Sequence, residues 1–116
     1  MSDVIEATDP EDRKIITLAR AARARTDAAQ GAAVRDTDGR TYAATSVALP
    51  SLQLSAVQVA VSMAVSSGAP GLEAVAVNGP EALSEQDRSV ITDLAGSNVT
   101  VWLTDVAGAV RERVQL

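Results

Sequence analysis

The chain has 116 residues, enough for one domain around one core, and its 47% hydrophobic content marks it as globular rather than disordered. A net charge of −5 works against binding the phosphates of DNA or RNA. Cysteine and histidine are both absent, which removes disulfides, thiolate nucleophiles, imidazole bases and the usual zinc ligands together.

With no phenylalanine, one tyrosine and one tryptophan, the core must be built from alanine, valine, leucine and isoleucine. Such a core depends on close approach of backbones rather than on large rings. Carboxylates are the remaining metal ligands, and they suit Mg²⁺ or Ca²⁺. The opening "MSDVIEATDPEDRK" is acidic and polar, unlike a secretory leader. The run from Thr41 to Leu72 carries no charge, but Pro50, Gln53, Gln58 and several serines make it a poor membrane span. These features predict a cytoplasmic protein of one domain over residues 1–116, with a flexible start at 1–8.

The first element is a helix in "TDPEDRKIITLARAARART". Thr8 or Asp9 caps it, Pro10 sits in the first turn, and Glu11 and Asp12 complement the positive end of the dipole. Ile15, Leu18, Ala19 and Ala22 form its apolar face, which narrows to alanine and so allows close packing on a sheet. Arg13, Lys14, Arg20, Arg23 and Arg25 lie on this helix, five of the ten basic side chains. They form either a solvated face or a contact for an acidic protein or RNA.

"GAAVRD" reads as a strand, "TDG" (Thr37 to Gly39) as a hairpin turn, and "RTYAATSVA" as the returning strand. "SLQLSAVQVAVSMAVSSG", residues 51–68, reads as one uncharged helix ended at Gly68. Its polar residues, Ser51, Ser55, Gln58, Ser62 and Ser66, fall in one narrow stripe, suited to close packing or to lining a pocket. "LEAVAVNG" is a buried strand. Ser84 caps a third helix in "SEQDRSVITDLAG", "NVTVWLTD" is a strand, and "VAGAVRERVQL" is a turn with a last strand. The order is α-β-β-α-β-α-β-β. It predicts an α/β three-layer sandwich, with a mixed five-stranded sheet between helices.

The stretch "GAAVRDTDGRTYAATSVALPSLQLSAVQVAVSMAVSSGAPGLEAVAV" resembles the core of the cytidine deaminase family. That family shows a Val-Gly-Ala-Ala strand, an Asp-Gly turn, an Asn-Val-Glu strand end, a zinc-bearing helix and an Ala-Val-Ser-Gly helix exit in this order. "SEQDRSVITDLAGSNVTVWLTDVAGAV" is similar to its third helix and closing hairpin. The resemblance implies that family's fold and subunit contacts through helices, hence a homo-oligomer, dimer or tetramer.

The residues that carry the family's chemistry are replaced here. Its central-helix Cys-Ala-Glu, one zinc ligand and the proton-shuttling glutamate, falls on Ser55, Ala56 and Val57. Its Pro-Cys-x-x-Cys-Arg matches at Arg88, which sets Ser84 and Asp87 at the other two cysteines. The ribose-holding Asn and Glu fall on Ser46 and Ala48, and a pocket Phe falls near Ala28. Hydrolytic deamination needs a metal to acidify water and a carboxylate to move protons. Two hydroxyls, one aspartate and a valine offer neither, so no cofactor and no resident metal is expected.

The expected function is that of a non-catalytic pseudoenzyme acting through binding or assembly. One alternative is a nucleoside or nucleobase binder whose pocket is lined by Ser46, Ala48, Ser55, Val57, Gln58, Ser84 and Asp87. The other is a hydrolase with residual deaminase activity or carboxylate chemistry at Glu85 and Asp87. No DNA or membrane partner is expected.

Overall fold

The computed structural model describes residues 5–116. Helix α1 (Pro10–Thr26) is followed by strands β1 (Gly31–Asp36), β2 (Thr41–Thr45), β3 (Val47–Leu49) and β4 (Leu52–Leu54). Helix α2 (Ala56–Ser66), β5 (Leu72–Asn78), α3 (Glu85–Ala95), β6 (Thr100–Thr104) and β7 (Val110–Gln115) complete the chain. The main sheet has the order β2-β1-β5-β6-β7. Its β5–β6 pair is parallel and its other pairs are antiparallel.

The result is the expected three-layer α/β sandwich around a mixed five-stranded sheet. Strand alternation divides the core into a side rich in alanine and a side rich in valine. Ala33, Ala74, Ala76 and Trp102 face α1 and meet Ile15 and Ala19. Ala32, Val34, Val75, Val77, Val101 and Leu103 face the other way and pack on α2 and on Ile91 of α3. The alanine side admits one helix at close range. The valine side supports two.

Gly31 shows how close α1 comes. A Cβ there would lie 2.9 Å from the Cβ of Arg23 and nearer still to the carbonyl of Ala19. Both are helix atoms that cannot swing aside, so a side chain at this position would push α1 off the sheet. Of the residues expected to be flexible, 1–4 lie outside the described part. Ala7 is buried against the Ile15 and Trp102 side of the core.

One element differs from the sequence expectation. Residues 51–54 do not open α2. Leu52–Leu54 form β4, which pairs with Val47–Leu49 in a small separate hairpin. The returning strand therefore ends at Thr45 rather than running to Ala48. β2 stops where its partner runs out, since Thr45 lies opposite Gly31, the first residue of β1, and the new hairpin turns at Pro50 and Ser51. Proline's fixed φ suits a turn and interrupts a continuous strand.

The β1–β2 turn is organised by Asp36, a fully buried carboxylate. It accepts from the backbone N–H groups of Asp38 and Arg40 and from the Tyr42 hydroxyl, each at 2.9 Å. Gly39 supplies the positive φ, +86°, that lets the chain reverse. Burial by itself pushes the Asp36 carboxyl up. The hydrogen bonds from Arg40, Tyr42 and Asp38 outweigh it and hold the group below its ordinary value.

A carboxyl depressed on folding stabilises the native state fully above the unfolded-state pKa, about 3.9, and loses that contribution as pH falls through the lower folded value. Asp36→Asn is therefore expected to lower the melting temperature at neutral pH. The gap to the parent should close under acid below about pH 4. Circular-dichroism melts across that range check it, and a gap that persists undiminished in strong acid would contradict the charge argument.

Candidate functional site

The N-termini of α2 and α3 converge, and four of the residues singled out from the sequence meet there: Ser55, Gln58, Ser84 and Asp87. Ser55 is the N-cap of α2, with φ −71° and ψ 160°. Its Oγ accepts from the N–H of Gln58 at 3.0 Å, while Gln58 Oε1 accepts from the N–H of Ser55 at 2.8 Å. This is a capping box, and it satisfies two of the helix's orphan donors reciprocally. Ser84 caps α3 in the same way, its Oγ accepting from the N–H of Asp87 at 3.0 Å.

The two caps are joined by one bond. The Ser55 hydroxyl donates to Asp87 Oδ1 at 2.7 Å. Asp87 is the third residue of α3 and only 5% exposed. Ser55, Gln58, Ser84 and Asp87 thus form one hydrogen-bonded chain across two helix ends.

The other expected residues sit apart from this chain. Ser46 lies between β2 and β3, its N–H bonded to the carbonyl of Gln30 at 3.0 Å. Ala48 is exposed on β3. Val57 is fully buried within the main core. Arg88 and Glu85 make a loose pair along α3, 3.6 Å apart, with Glu85 exposed and Arg88 half-buried.

Gln30 is a participant that the sequence reading missed. Its Oε1 accepts from the N–H of Ala56 at 3.1 Å, so it caps another donor of the first α2 turn. A glutamine before a strand carries no local signal for this. The contact arises only because the start of β1 lies beside the start of α2.

The donor set can be tested against the zinc that the family resemblance implies. Zinc is held by thiolate, imidazole or carboxylate. Ser55 and Ser84 present neutral hydroxyls, both accepting from backbone N–H groups, and the Asp87 carboxylate accepts from Ser55. These residues do not fit the ion. Among the described residues, no group of three or more acidic, histidine or cysteine side chains is placed to hold a metal.

Two surface clefts lie away from these residues. A cleft of about 510 Å³ runs between Ile5–Ala7, α1 and the β6–β7 turn, lined by Arg13, Ile16 and Val110 among others. A shallower groove on the outer side of α2 is lined by Leu54, Val59, Ser62, Met63, Ser66 and Ser67. None of Ser46, Ser55, Ser84 and Asp87 lines either one. No described helix is long and apolar enough to cross a membrane.

Comparison with known proteins agrees with this architecture. The cytidine deaminase from Burkholderia pseudomallei is similar at 28% identity with a TM-score of 0.77, over 88% of this chain and 90% of that one. The Mycobacterium tuberculosis cytidine deaminase shares the fold at 24% identity and a TM-score of 0.70, over 80% and 85% of the two chains. That of Mycobacterium leprae does so at 20% and 0.67, over 84% and 89%. No curated protein matches the chain significantly. The profile of the cytidine deaminase-like family matches residues 8–108, nearly the whole described chain. On that match, carried on this sheet and these two converging helices, the chain belongs to the cytidine deaminase-like family.

Proposed function

We propose that this chain is a non-catalytic member of its family that works by self-assembly. One observation carries the reading: the polar groups at the α2–α3 junction are bonded to one another, through the Ser55–Asp87 bond and the two caps. A site that must acidify water needs anionic ligands free to bind a metal and a carboxylate free to move protons. Val57, at the position the resemblance assigns to the glutamate, is apolar and buried. Nucleoside binding finds little support at the same place, because the first-turn N–H groups of Ala56 and Gln58 are already held by Gln30 and Ser55.

The assembly half of the proposal rests on surface chemistry. From Thr41 to Leu72 the chain has no charged residue. This stretch forms the edge strand β2, the β3–β4 hairpin and α2. It leaves Leu49, Leu52, Met63 and Val65 between 41% and 56% exposed. Copies that each carry a net charge of −5 repel through most of their surfaces but not across an uncharged face. That favours a second copy as the occupant, in the closed symmetric arrangements usual for homo-oligomers.

Light scattering at micromolar concentration is expected to give a dimer or larger. Met63→Arg, which places a charge in the middle of the face, is expected to shift the mass to the monomer. A parent protein that is strictly monomeric would defeat the assembly reading. Cytidine turnover by metal-loaded protein would defeat the non-catalytic one.

A further inference from the structure

We infer that the Ser55–Asp87 pair is a latch that joins the N-termini of α2 and α3 without a metal ion. The inference deepens the reading above and rests on it only for the absence of a resident metal. Two helix N-termini brought together present two positive dipole ends to each other, and something negative must lie between them. Asp87 supplies that charge from within the chain, almost fully buried at the point of convergence.

The direction of the bond follows from the carboxylate, and the caps hold both partners in place. Ser55 Oγ accepts from the Gln58 N–H and still has its hydrogen to give, and a carboxylate oxygen can only accept. Asp87 Oδ1, at 2.7 Å, takes it. Asp87 is held in turn, because its own N–H donates to Ser84 Oγ. Gln58 returns its side-chain oxygen to the N–H of Ser55. Each hydroxyl therefore has a backbone partner that fixes its place, and the bond to a charged acceptor is of the stronger class. The two helices are tied at their ends, while Val61, Ile91 and their neighbours fill the space further along.

The test uses the full chain and reads melting temperature. With and without a strong chelator, the melting temperature is expected to be the same. Ser55→Gly keeps an acceptable helix cap but removes the latch hydroxyl, which isolates the bond from the cap. Ser55→Gly and Asp87→Ala are each expected to lower the melting temperature by roughly 5–10 °C. The double variant should lose clearly less than the two losses added, because residues in direct contact are coupled. Ser55→Thr, which retains the hydroxyl, should stay within about 2 °C of the parent.

Strictly additive losses, or a parent melt that falls on chelation, would overturn the latch. If Asp87→Ala does not fold, Asp87→Asn completes the cycle, and the chelator result needs no variant. A monomeric mass would refute the assembly proposal and leave the latch standing. An additive cycle would refute the latch and leave the assembly proposal standing.

Discussion

Replacing Arg35 by alanine is expected to destabilise the protein by about 3 kcal/mol, the cost of removing one partner from a largely buried ion-pair cluster. Arg35 lies on the α1 side of β1, with its side chain 10% exposed. Its Nε bonds Glu73 Oε2 at 2.8 Å and its Nη1 bonds Asp12 Oδ1 at 2.9 Å. Asp12 also accepts from the indole N–H of Trp102 at 3.2 Å, so one cluster ties α1 to β1, β5 and β6. A register shift in the β1–β5 pairing leaves Glu73 without an opposite residue and aims its carboxylate at Arg35.

Without Arg35, Glu73 can turn to solvent, since its side chain is 43% exposed. Asp12, at 15%, keeps only the indole N–H. The stranded Asp12 charge is the main cost, and Asp12→Asn in the parent should accordingly cost less, about 1 kcal/mol. For a domain of this size the Arg35→Ala loss corresponds to a fall of roughly 12 °C or more in melting temperature. Thermal and urea unfolding of both variants measure it. A loss below that of Asp12→Asn would show that the cluster is not what holds α1 in place.

This cluster was not legible in the sequence. "GAAVRD" reads as a strand whatever Arg35 does, and nothing local links it to Asp12 or to Glu73. Asp12 looked like a helix-start acid complementing the dipole, which it also is. Ion pairs of this kind are made by topology, when elements far apart in sequence come together, and composition carries no trace of them.

The three-layer architecture, by contrast, follows from period and punctuation. Asp9 and Pro10 open α1, Ser84 caps α3, and Gly39 closes the β1–β2 turn, as their residue types require. The start of α2 is legible too, in the spacing of a serine and a glutamine. Ser51 and Ser55 both precede apolar residues, and only Ser55 has a glutamine three places on. That spacing is the capping box seen at Ser55 and Gln58, and it places the helix start after Ser55. Of the site residues, Ser55, Gln58, Ser84 and Asp87 do come together. Ala48 and Val57, set at site positions by the same resemblance, do not join them: one is exposed on the hairpin and the other is sealed in the core.

The convergence of those positions leads to a second large effect, this time a gain. The triple variant Ser55→Cys, Ser84→Cys, Asp87→Cys should bind one zinc ion per chain. Ser55 and Asp87 are already in hydrogen-bond contact, and Ser84 precedes Asp87 at the two-residue spacing of a helix-start thiolate pair. Helix N-termini favour thiolates, and three of them give zinc the anionic donors that two hydroxyls cannot. In chelator the variant should melt below the parent, because it lacks the latch and two serine caps worth about 1 kcal/mol each. Zinc at a hundredfold excess over its dissociation constant adds about 2.7 kcal/mol by mass action. That is a rise of roughly 10 °C over the chelated variant. Metal analysis after dialysis, paired with melts in zinc and in chelator, reads both. A well-folded variant that binds no zinc would mean that the helix ends do not hold these positions in a ligand geometry. Even loaded, the variant should leave cytidine unchanged, since Val57 offers no carboxylate to carry a proton. Metal capacity and catalysis would then separate along the two helix ends: the first is a matter of three side chains on an intact frame, whereas the second also needs an acid where the core now holds an alkyl group.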